Sequence, residues 1–582
     1  MKAAGTSLRF DPLPIGSEED WGALQTAIAR WVLAHGGDAR LARTAAAASL
    51  ADTNGDSALA IDDAETRRSL AAMPLVGDAA SPFVLDGGLF YLRRNFAREC
   101  AVAAMLRERL DAPATPALVA IDPDTLFADA TDPAIAGQRA ALHKVRGRAL
   151  FVLTGAPGSG KTTTVLRMLM LLAREHAGYR DNEWPRIALA APTGKAAQRM
   201  RQSLLDATPG GFPAAWHEAL AHVQARASEA GTVHRLLGMR GDAGTPRFDR
   251  ARPLPIDLLV VDEASMLDLA MLRRLLAAMP ASAPLILVGD ADQLDSVGTG
   301  SVLQDVVAAF GEDDAHLQRL RHSFRADRVL LPLNEAVRAG DAAGFFAALD
   351  AASPQASLRS LDGRGTLADA LKAWGEGLLA DIRAGGLDDV IDETDGDRII
   401  HALRVLRSRQ LLCALREGPF GATGANTALE RQLATALQPE AATAGEGAPW
   451  YPGRRILITR NDPASGLFNG DIGLCLRGPD RLRVWFDGEE GPRVFEIAEL
   501  PAHESAFALT VHKAQGSEYE EVAVLPPPRA DHPLLSRQWF YTAISRTRHR
   551  VEIWGSEAVI TAAITSPARR VSGLGPRLDR PD

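Results

Sequence analysis

Cysteine is scarce in this chain of 582 residues: only Cys100, Cys413 and Cys475 occur, and no two of them form a C-x-x-C pair. This spacing argues against a zinc site, an iron–sulfur cluster or a disulfide framework and is typical of the reducing cytoplasm. The N-terminus lacks the apolar core of a signal peptide, and no uninterrupted apolar run is long enough to span a bilayer. We therefore expect a cytoplasmic protein that does not cross a membrane.

The chain also lacks an excess of positive charge. Its 64 lysines and arginines stand against 73 aspartates and glutamates, which gives a formal net charge of -9. This balance does not favour a nucleic-acid binder, yet it allows a motor that confines its basic groups to a channel. Hydrophobic residues make up 46% of the chain, enough for several buried cores, and the length predicts roughly three or four domains.

Changes in composition and periodicity divide the chain into domains. Apolar residues recur at helical spacing over 1–112, which predicts a mainly helical N-terminal domain. Over 113–330 and 331–565, apolar strands alternate with helices, a pattern that predicts an α/β fold around parallel sheets. Alternating apolar and polar residues at about 470–505 predict a small antiparallel barrel or hairpin insertion. Residues 566–582, rich in Arg, Pro and Gly, are expected to form a flexible tail.

A phosphate-binding loop is the strongest motif. Residues 155–162 spell G-x-x-x-x-G-K-T between a predicted strand and a predicted buried helix, the context that this motif requires. Backbone N–H groups and the helix dipole of such a loop hold a polyphosphate. Lys161 is expected to reach the β- and γ-phosphates of ATP, and Thr162 to hold Mg²⁺. The alternative is a glycine-rich turn that binds nothing. The candidate nucleotide-binding residues of the loop are Gly155, Ala156, Pro157, Gly158, Ser159, Gly160, Lys161, Thr162 and Thr163.

Two further predicted strands end in polar residues. The apolar run 256–261 is followed by Asp262 and Glu263. The aspartate is expected to hold Mg²⁺ beside the phosphate loop, and the glutamate to polarise the attacking water. Gln293, after the apolar run 285–288, either senses the γ-phosphate or is a loop amide that faces water. Together the three motifs favour nucleotide hydrolysis coupled to motion over binding alone.

Six motifs, taken in order, resemble those of superfamily 1 helicases of the 5′-to-3′ branch. They are GAPGSGKT from Gly155, APTGKAA from Ala191, VDEASM from Val261, VGDADQL from Val288, VHKAQGSE from Val511 and YTAISRTR from Tyr541. The chain most resembles the RecD family, the alpha subunits of exodeoxyribonuclease V, because residues 85–94 and 411–421 are also similar to flanking stretches of that family.

The resemblance covers about 138–550 and implies a fold. It implies two RecA-like P-loop domains with ATP between them, a small helical N-terminal domain and a small SH3-like β-barrel insertion. The phosphate loop departs from the GGPGTGKT usual in the family at Ala156 and Ser159. Both replacements are small, so they are not expected to disturb the loop.

The resemblance also implies roles for residues outside the phosphate loop. Gln138 matches the glutamine that reads adenine, although a surface glutamine at a helix start is the alternative. Arg325 and Arg546 match two arginines that reach the γ-phosphate from across the cleft, where a planar guanidinium binds phosphate oxygens bidentately. A surface ion pair is the alternative for such an arginine, and it is favoured for Arg548. The matching nucleotide contacts on the second motor domain are Gly516 and Glu518.

Three loops are candidates for contact with single-stranded DNA. Small hydroxyls, backbone N–H groups and single basic residues can hold phosphates without reading sequence, and histidine rings can stack on bases. The candidate residues are Pro192, Thr193, Lys195, Thr232, His234, Thr510, His512 and Lys513. For His234 a helix-capping role is equally compatible. Arg454, Arg455 and Arg460 either line the same channel or are solvated.

The resemblance implies an ATP- and Mg²⁺-dependent 5′-to-3′ DNA helicase that unwinds duplex ends for recombinational repair. It also implies a heterotrimer with RecB-like and RecC-like subunits, in which 1–112 docks on the RecC-like subunit. The alternatives are a stand-alone RecD-like repair helicase, a clamp or regulatory subunit whose motor has decayed, and an ATPase switch or kinase without a DNA role. No nuclease site is expected, because no Glu/Asp-x-Lys core follows the acidic run 392–397. The candidate catalytic residues are Lys161, Asp262, Glu263, Gln293, Arg325 and Arg546.

Overall fold

The computed structural model of the chain describes residues 21–77, 80–113, 121–129, 131–179, 183–239, 244–311, 314–324, 329–361, 364–392, 394–405, 408–437, 450–462, 464–488, 491–568 and 570–579. None of the helices within these ranges combines the length and the apolar character needed to cross a membrane.

The N-terminal part combines four helices with a small antiparallel sheet. The helices are α1 (Ala23–Ala34), α2 (Ala39–Thr53), α3 (Ala64–Ala71) and α4 (Arg93–Leu110), and the strands are β1 (Leu59–Ala60), β2 (Phe83–Asp86) and β3 (Leu89–Leu92), in the order β1-β3-β2. The alanine-rich α2 is buried along most of its length. The Asp38 carboxylate caps it by accepting a hydrogen bond from the Leu41 N–H at 2.7 Å. α4 leads out of this layer, and Arg109 near its end donates to the Ala283 carbonyl at 2.7 Å.

A six-stranded parallel sheet forms the next part, residues 131–324, here named lobe 1. Its strands are β4 (Leu150–Gly155), β5 (Ile187–Ala191), β6 (Gly231–Thr232), β7 (Leu258–Val261), β8 (Leu285–Gly289) and β9 (Leu317–Leu320), in the order β6-β5-β7-β8-β4-β9. Its helices are α5 (Ala136–Val145), α6 (Lys161–Tyr179), α7 (Gly194–Leu205), α8 (His217–Ala227), α9 (Val233–Leu236), α10 (Leu269–Ala278) and α11 (Val302–Phe310). Successive residues such as Val152 and Leu153 enter two separate cores, because helices cover both faces of the sheet. The predicted α/β class with parallel sheets is confirmed.

Residues 329–565 form lobe 2, which has a second parallel sheet. Its helices are α12 (Leu331–Ala339), α13 (Ala342–Ala351), α14 (Arg364–Ala384), α15 (Gly396–Val405), α16 (Ala422–Leu437), α17 (Arg537–Ile544) and α18 (Glu557–Thr565). Its strands are β10 (Ala356–Arg359), β11 (Arg409–Cys413), β12 (Arg455–Ile458), β13 (Ile472–Arg477), β14 (Leu482–Phe486), β15 (Arg493–Phe495), β16 (His503–Ser505), β17 (Ala508–Thr510), β18 (Tyr519–Leu525) and β19 (Thr547–Trp554). The parallel sheet has the order β10-β19-β18-β11-β17.

The remaining strands of lobe 2 form the small insertion, a five-stranded antiparallel sheet of order β15-β14-β13-β12-β16. It begins at Arg455, earlier than the expected boundary at about 470. All four residues of β12 are buried, so this strand lacks the apolar–polar alternation that identified its neighbours. Closure of the sheet into an SH3-like barrel stays a prediction.

The expectation of a flexible tail over 566–582 is wrong for its described part. Residues 574–579 form α19 (Leu574–Asp579), and Leu574 is fully buried in the core of lobe 1. The Glu99 carboxylate on α4, also fully buried, accepts hydrogen bonds from Ser572 Oγ and from Gly573 N–H, both at 3.1 Å. A composition of Arg, Pro and Gly did not reveal this docking, because the partners lie elsewhere in the sequence.

Candidate functional site

The phosphate loop connects β4 to α6, as its spacing predicts. Gly158 and Gly160 have φ angles of 77° and 82°, which only glycine adopts without strain. The Lys161 ammonium group bends back over the loop and donates to the carbonyls of Gly155 at 2.7 Å and Ala156 at 3.1 Å. Its charge therefore already lies inside the cradle where a polyphosphate would bind.

Asp262 follows β7, whose carboxyl end lies beside that of β8 and, through it, that of β4. Burial, and secondly the neighbouring Glu263 carboxylate, raise the pKa of Asp262 to about 6, while Lys161 and Arg199 oppose the rise. The ionised form of Asp262 is unfavourable here unless further positive charge is present, and a bound cation would supply that charge. The residues present therefore fit Mg²⁺, with Thr162 at the start of α6 as the second protein ligand.

Glu263 has a strained backbone. Its φ and ψ angles are 51° and 41°, and among the described residues it is the only non-glycine with positive φ. Its N–H donates to Asp262 Oδ1 at 2.8 Å. Such left-handed conformations at bulky residues are costly and concentrate at functional sites. The turn therefore marks Glu263 as a candidate functional residue directly after Asp262.

Gln293 lies in a polar network that crosses from lobe 1 to lobe 2. Its amide nitrogen donates to Asp290 Oδ2 at 3.1 Å, and the Tyr541 hydroxyl of α17 donates to the same oxygen at 3.1 Å. Its amide oxygen accepts a hydrogen bond from the Arg546 guanidinium. Gln293 is 4% exposed and Arg546 3%. The alternative of a loop amide that faces water is therefore wrong for Gln293.

Arg546 is held within this network by hydrogen bonds. Besides Gln293, it donates to the carbonyl of Thr542 at 3.2 Å. Arg548, two residues later, pairs with Glu518 at 2.8 Å. Sequence reasoning missed Asp290 and Tyr541, although both lie inside motifs that it singled out. The prediction for Arg325 lies outside the described residues.

The cleft between the lobes opens at the phosphate loop. A cavity there is bordered by residues 155–158 from lobe 1 and by Glu518, Ser545 and Arg548 from lobe 2. Also at this cavity, Arg319 pairs with Asp292 at 2.8 Å, two further residues that sequence reasoning missed. Glu518 is thus placed where a nucleotide contact was expected, while Gly516 has its carbonyl bonded to the Arg199 guanidinium.

Gln138 borders a second cavity next to the phosphate loop. This cavity is also lined by Ser159, Lys144 and His322. The Gln138 side chain is 4% exposed and accepts a hydrogen bond from Arg167 at 3.2 Å. It is therefore not a surface glutamine, and its amide lies where an adenine ring beside the loop could meet it.

The candidate DNA residues of lobe 1 come together at two strand ends. β5 and β6 are neighbours with Ala191 paired to Thr232, so the loops after them are adjacent. Thr193 caps α7 through a hydrogen bond from the Ala196 N–H at 3.2 Å, and Thr232 caps α9. Pro192 and Lys195 flank this cap, and His234 lies in the first turn of α9. These helix N-termini present N–H groups suited to phosphate oxygens.

The candidate DNA residues of lobe 2 follow β17. Thr510 and Lys513 line a groove together with Arg416, Arg431 and Thr423. Lys513 forms an ion pair with Glu504. Burial, and secondly the charge of Arg570, lower the pKa of His512, so the neutral imidazole is favoured.

Two of the three arginines considered for this channel are buried. Arg455 is 1% exposed and donates to the Arg409 carbonyl at 2.8 Å. Arg454 is 6% exposed and pairs with Glu430 at 3.1 Å. The alternative that they are solvated is therefore wrong for these two, and Arg455 is part of the core, whereas Arg454 borders the groove of Thr510 and Lys513.

Comparisons with known proteins agree with this arrangement. The family model of an AAA domain matches residues 138–299, from Gln138 past Gln293, and that of the UvrD-like helicase C-terminal domain matches residues 505–553. The RecBCD enzyme subunit RecD of Mycobacterium tuberculosis is 38% identical over 535 residues, which cover 89% of this chain and 85% of that protein. The subunit of the same name in Mycolicibacterium smegmatis is 37% identical over 529 residues, 88% and 86% of the two chains. The ATP-dependent RecD2 DNA helicase of Deinococcus radiodurans is 31% identical over 532 residues, 90% of this chain and 63% of that protein.

Proposed function

Because this chain belongs to the RecD family and is an ATP-dependent DNA helicase, we propose that it moves 5′-to-3′ along one DNA strand as the RecD-like subunit of a RecBCD-type helicase–nuclease. In that complex it would unwind duplex ends for recombinational repair beside RecB-like and RecC-like subunits. The N-terminal part, 1–112, would dock on the RecC-like subunit. The motor role is supported by one observation, the hydrogen-bond network that joins the two lobes at the nucleotide cleft. Its members are Asp290, Gln293, Tyr541 and Arg546.

ATP binds between the lobes in this proposal. Lys161 leaves its loop carbonyls for the β- and γ-phosphates, and Thr162 and Asp262 hold Mg²⁺, which supplies positive charge to those phosphates. Glu263 orients and deprotonates the attacking water from its strained turn directly after Asp262. Gln138 contacts adenine, while Gly516 and Glu518 contact the nucleotide from lobe 2.

Hydrolysis is coupled to motion through Arg546. A γ-phosphate offers Arg546 a stronger acceptor than the neutral Gln293 amide, so ATP binding exchanges one partner for the other and closes the cleft. Arg325 is proposed to approach the same phosphate. The exchange moves α17 relative to β8, since Tyr541 lies in α17 and Arg546 follows this helix, whereas Asp290 and Gln293 follow β8. Closure and opening then shift the DNA loops of the two lobes, which hold the strand through Thr193, Lys195, Thr232, His234, Thr510, His512 and Lys513, with Pro192 shaping the first loop.

The experiment is strand separation by the purified chain on duplexes with a 5′ or a 3′ single-stranded tail, with Lys161→Ala as the control. We expect ATP-dependent opening from the 5′ tail alone, which Lys161→Ala abolishes. Opening from the 3′ tail would overturn the polarity. A folded chain that neither opens duplexes nor hydrolyses ATP with single strands present would favour a clamp role instead.

A further inference from the structure

The described C-terminal residues 566–568 and 570–579, here named the strap, join three parts of the molecule. At the start of the strap, Ala568 N–H donates to the Gln538 side chain of α17 at 2.7 Å. Near the middle, Val571 N–H donates to Asp56 Oδ1 at 2.7 Å in the N-terminal part. At the end, α19 packs on α4 and α11. The strap therefore runs from lobe 2 along lobe 1 to the N-terminal layer.

Arg570 is the strap residue that binds lobe 1 most extensively. Its guanidinium donates to three backbone carbonyls, those of Ser296 at 2.6 Å, Gly298 at 2.7 Å and Gly300 at 3.0 Å. A planar fork of donors can serve several fixed acceptors at once, which an ammonium group does less well. Gly55 makes room for this group: a Cβ there would lie 2.3 Å from Arg570 Cζ.

The loop that Arg570 holds, residues 296–300, follows directly after the network of Gln293. Just before this loop, Leu294 N–H donates to the Thr542 hydroxyl at 2.8 Å and its carbonyl accepts from Gln515 at 3.2 Å, both in lobe 2. At the end of the loop, Gly300 N–H donates to the Gly55 carbonyl at 2.8 Å. The loop is therefore bound to lobe 2 on one side and to the strap and the N-terminal part on the other.

Arg570 also lies close enough to His512 for its charge to affect that imidazole. His512 belongs to the candidate DNA loop after β17, and Gln515 of the same loop bonds to Leu294. Hydrogen bonds thus connect the Gln293 network, Leu294 and the DNA loop of lobe 2. The chain continues from Leu294 into the loop 296–300, which Arg570 holds in lobe 1.

We propose that Arg570 is a positioning residue of the motor. It anchors the loop 296–300, so that displacement of Gln293 during ATP hydrolysis moves lobe 2 and its DNA loop and does not merely move the loop 296–300. This inference rests on the proposed helicase function. Without the anchor, ATP is still hydrolysed but fewer hydrolysis events advance the DNA.

The test compares the number of base pairs opened per ATP hydrolysed in full-length wild-type chain, Arg570→Ala, Arg570→Lys and the matched control Arg577→Gln. Arg577 is also a strap arginine, but it pairs with Asp86 at 2.6 Å in the N-terminal part and has no hydrogen bond to the loop 296–300 among the described contacts. A variant that merely folds less well contains fewer active molecules. This lowers the rates of duplex opening and of ATP hydrolysis together and leaves their ratio unchanged.

We expect the ratio to fall at least threefold in Arg570→Ala, to be intermediate in Arg570→Lys and to stay at the wild-type value in Arg577→Gln. An unchanged ratio in Arg570→Ala, or an equal fall in Arg577→Gln, would overturn the inference while the helicase function stands. A folded wild-type chain that neither opens duplexes nor hydrolyses ATP with single strands present would instead overturn the proposed function, and the inference with it.

Discussion

At the scale of single residues, the surroundings decide what each charged group does. Arg546 and Arg548 are only two positions apart. Arg546 is 3% exposed and donates a hydrogen bond to Gln293, whereas the Arg548 side chain is 43% exposed and pairs with Glu518. Asp262 and Glu263 are adjacent, but Glu263 alone of the two has a left-handed backbone. Residue type alone therefore does not assign these roles, and the contacts of each side chain are needed to distinguish them.

Replacement of Glu263 by Gln is expected to lower the ATPase kcat in the presence of single strands by about 10²–10⁴-fold, because the amide cannot accept a proton from water. ATP affinity is expected to stay within a few-fold, since Lys161 and the loop hold the phosphates. Steady-state hydrolysis and binding of a fluorescent ATP analogue measure the two quantities. Glu557→Gln, at an exposed site on α18, is the control, and a kcat loss below tenfold in Glu263→Gln would contradict the assigned role.

Asp305→Asn is expected to stabilise the protein more at pH 8 than at pH 5. Burial first, and the carboxylates of Glu99 and Asp295 next, raise the pKa of Asp305 to about 7, while Ser572 and Arg570 oppose the rise. Since the folded pKa lies above the unfolded value of 3.8, the folded state binds more protons, and ionisation costs stability as pH rises from about 4 to about 7. Asn removes this cost, about 1–3 kcal/mol at pH 8 after allowance for partial solvation.

Melting temperatures of wild type and Asp305→Asn at the two pH values test this expectation. The difference between the variant and wild type should grow with pH. A difference that is the same at pH 5 and pH 8 would show that Asp305 is not held in its protonated form by its surroundings.

At the scale of elements, short segments acquire stability from docking. α19 has only six residues, too few for a stable isolated helix in water. Its position is set by Leu574 in the lobe 1 core and by Arg577, which pairs with Asp86 and lies over the Phe96 ring at 4.9 Å. The strap is thus ordered through tertiary contacts.

Leu574→Ala is expected to cost about 2–5 kcal/mol of folding free energy, the range for a buried leucine whose cavity collapses only in part. Leu578→Ala on the same helix should cost less, because Leu578 is only partly buried. Thermal denaturation compares the two variants, and protease cleavage near 566 reports release of the strap. Equal melting temperatures for Leu574→Ala and Leu578→Ala would contradict the docking described for α19.

At the scale of the whole molecule, a net charge of -9 must be reconciled with DNA binding. The candidate DNA residues include only two lysines, Lys195 and Lys513, and the ion pair of Lys513 with Glu504 reduces its free charge. A neutral grip through helix N-termini and hydroxyls suits movement along a strand, because it holds phosphates without strong attraction.

We therefore expect a weak salt dependence for single-strand binding, with a slope of log K against log salt of about -1 to -3, since each neutralised phosphate contributes about -0.7. Lys513→Ala should reduce the magnitude of this slope by about 0.7. Lys372→Ala, at an exposed position on α14, should leave it unchanged. Fluorescence anisotropy over a salt series measures the slopes, and an unchanged slope in Lys513→Ala would remove Lys513 from the DNA path.

Features that depend on local spacing could be predicted from the sequence. The phosphate loop, the Asp262–Glu263 pair and the apolar strands β4, β7 and β8 were all predicted, because each is encoded within a few consecutive residues. The start of the insertion at Arg455 was missed, since a strand buried on both faces shows no alternation.

Contacts between residues that are distant in the sequence depend on the packing of the folded chain. Arg546 and Gln293 are 253 positions apart, and Arg570 lies 274 positions from Ser296. No periodicity encodes such pairs: they form because parallel strands bring their carboxyl ends to one edge, where the loops of both lobes and the strap converge. The motifs identify the chemistry of this protein, and the packing of the two lobes determines how that chemistry is connected to movement.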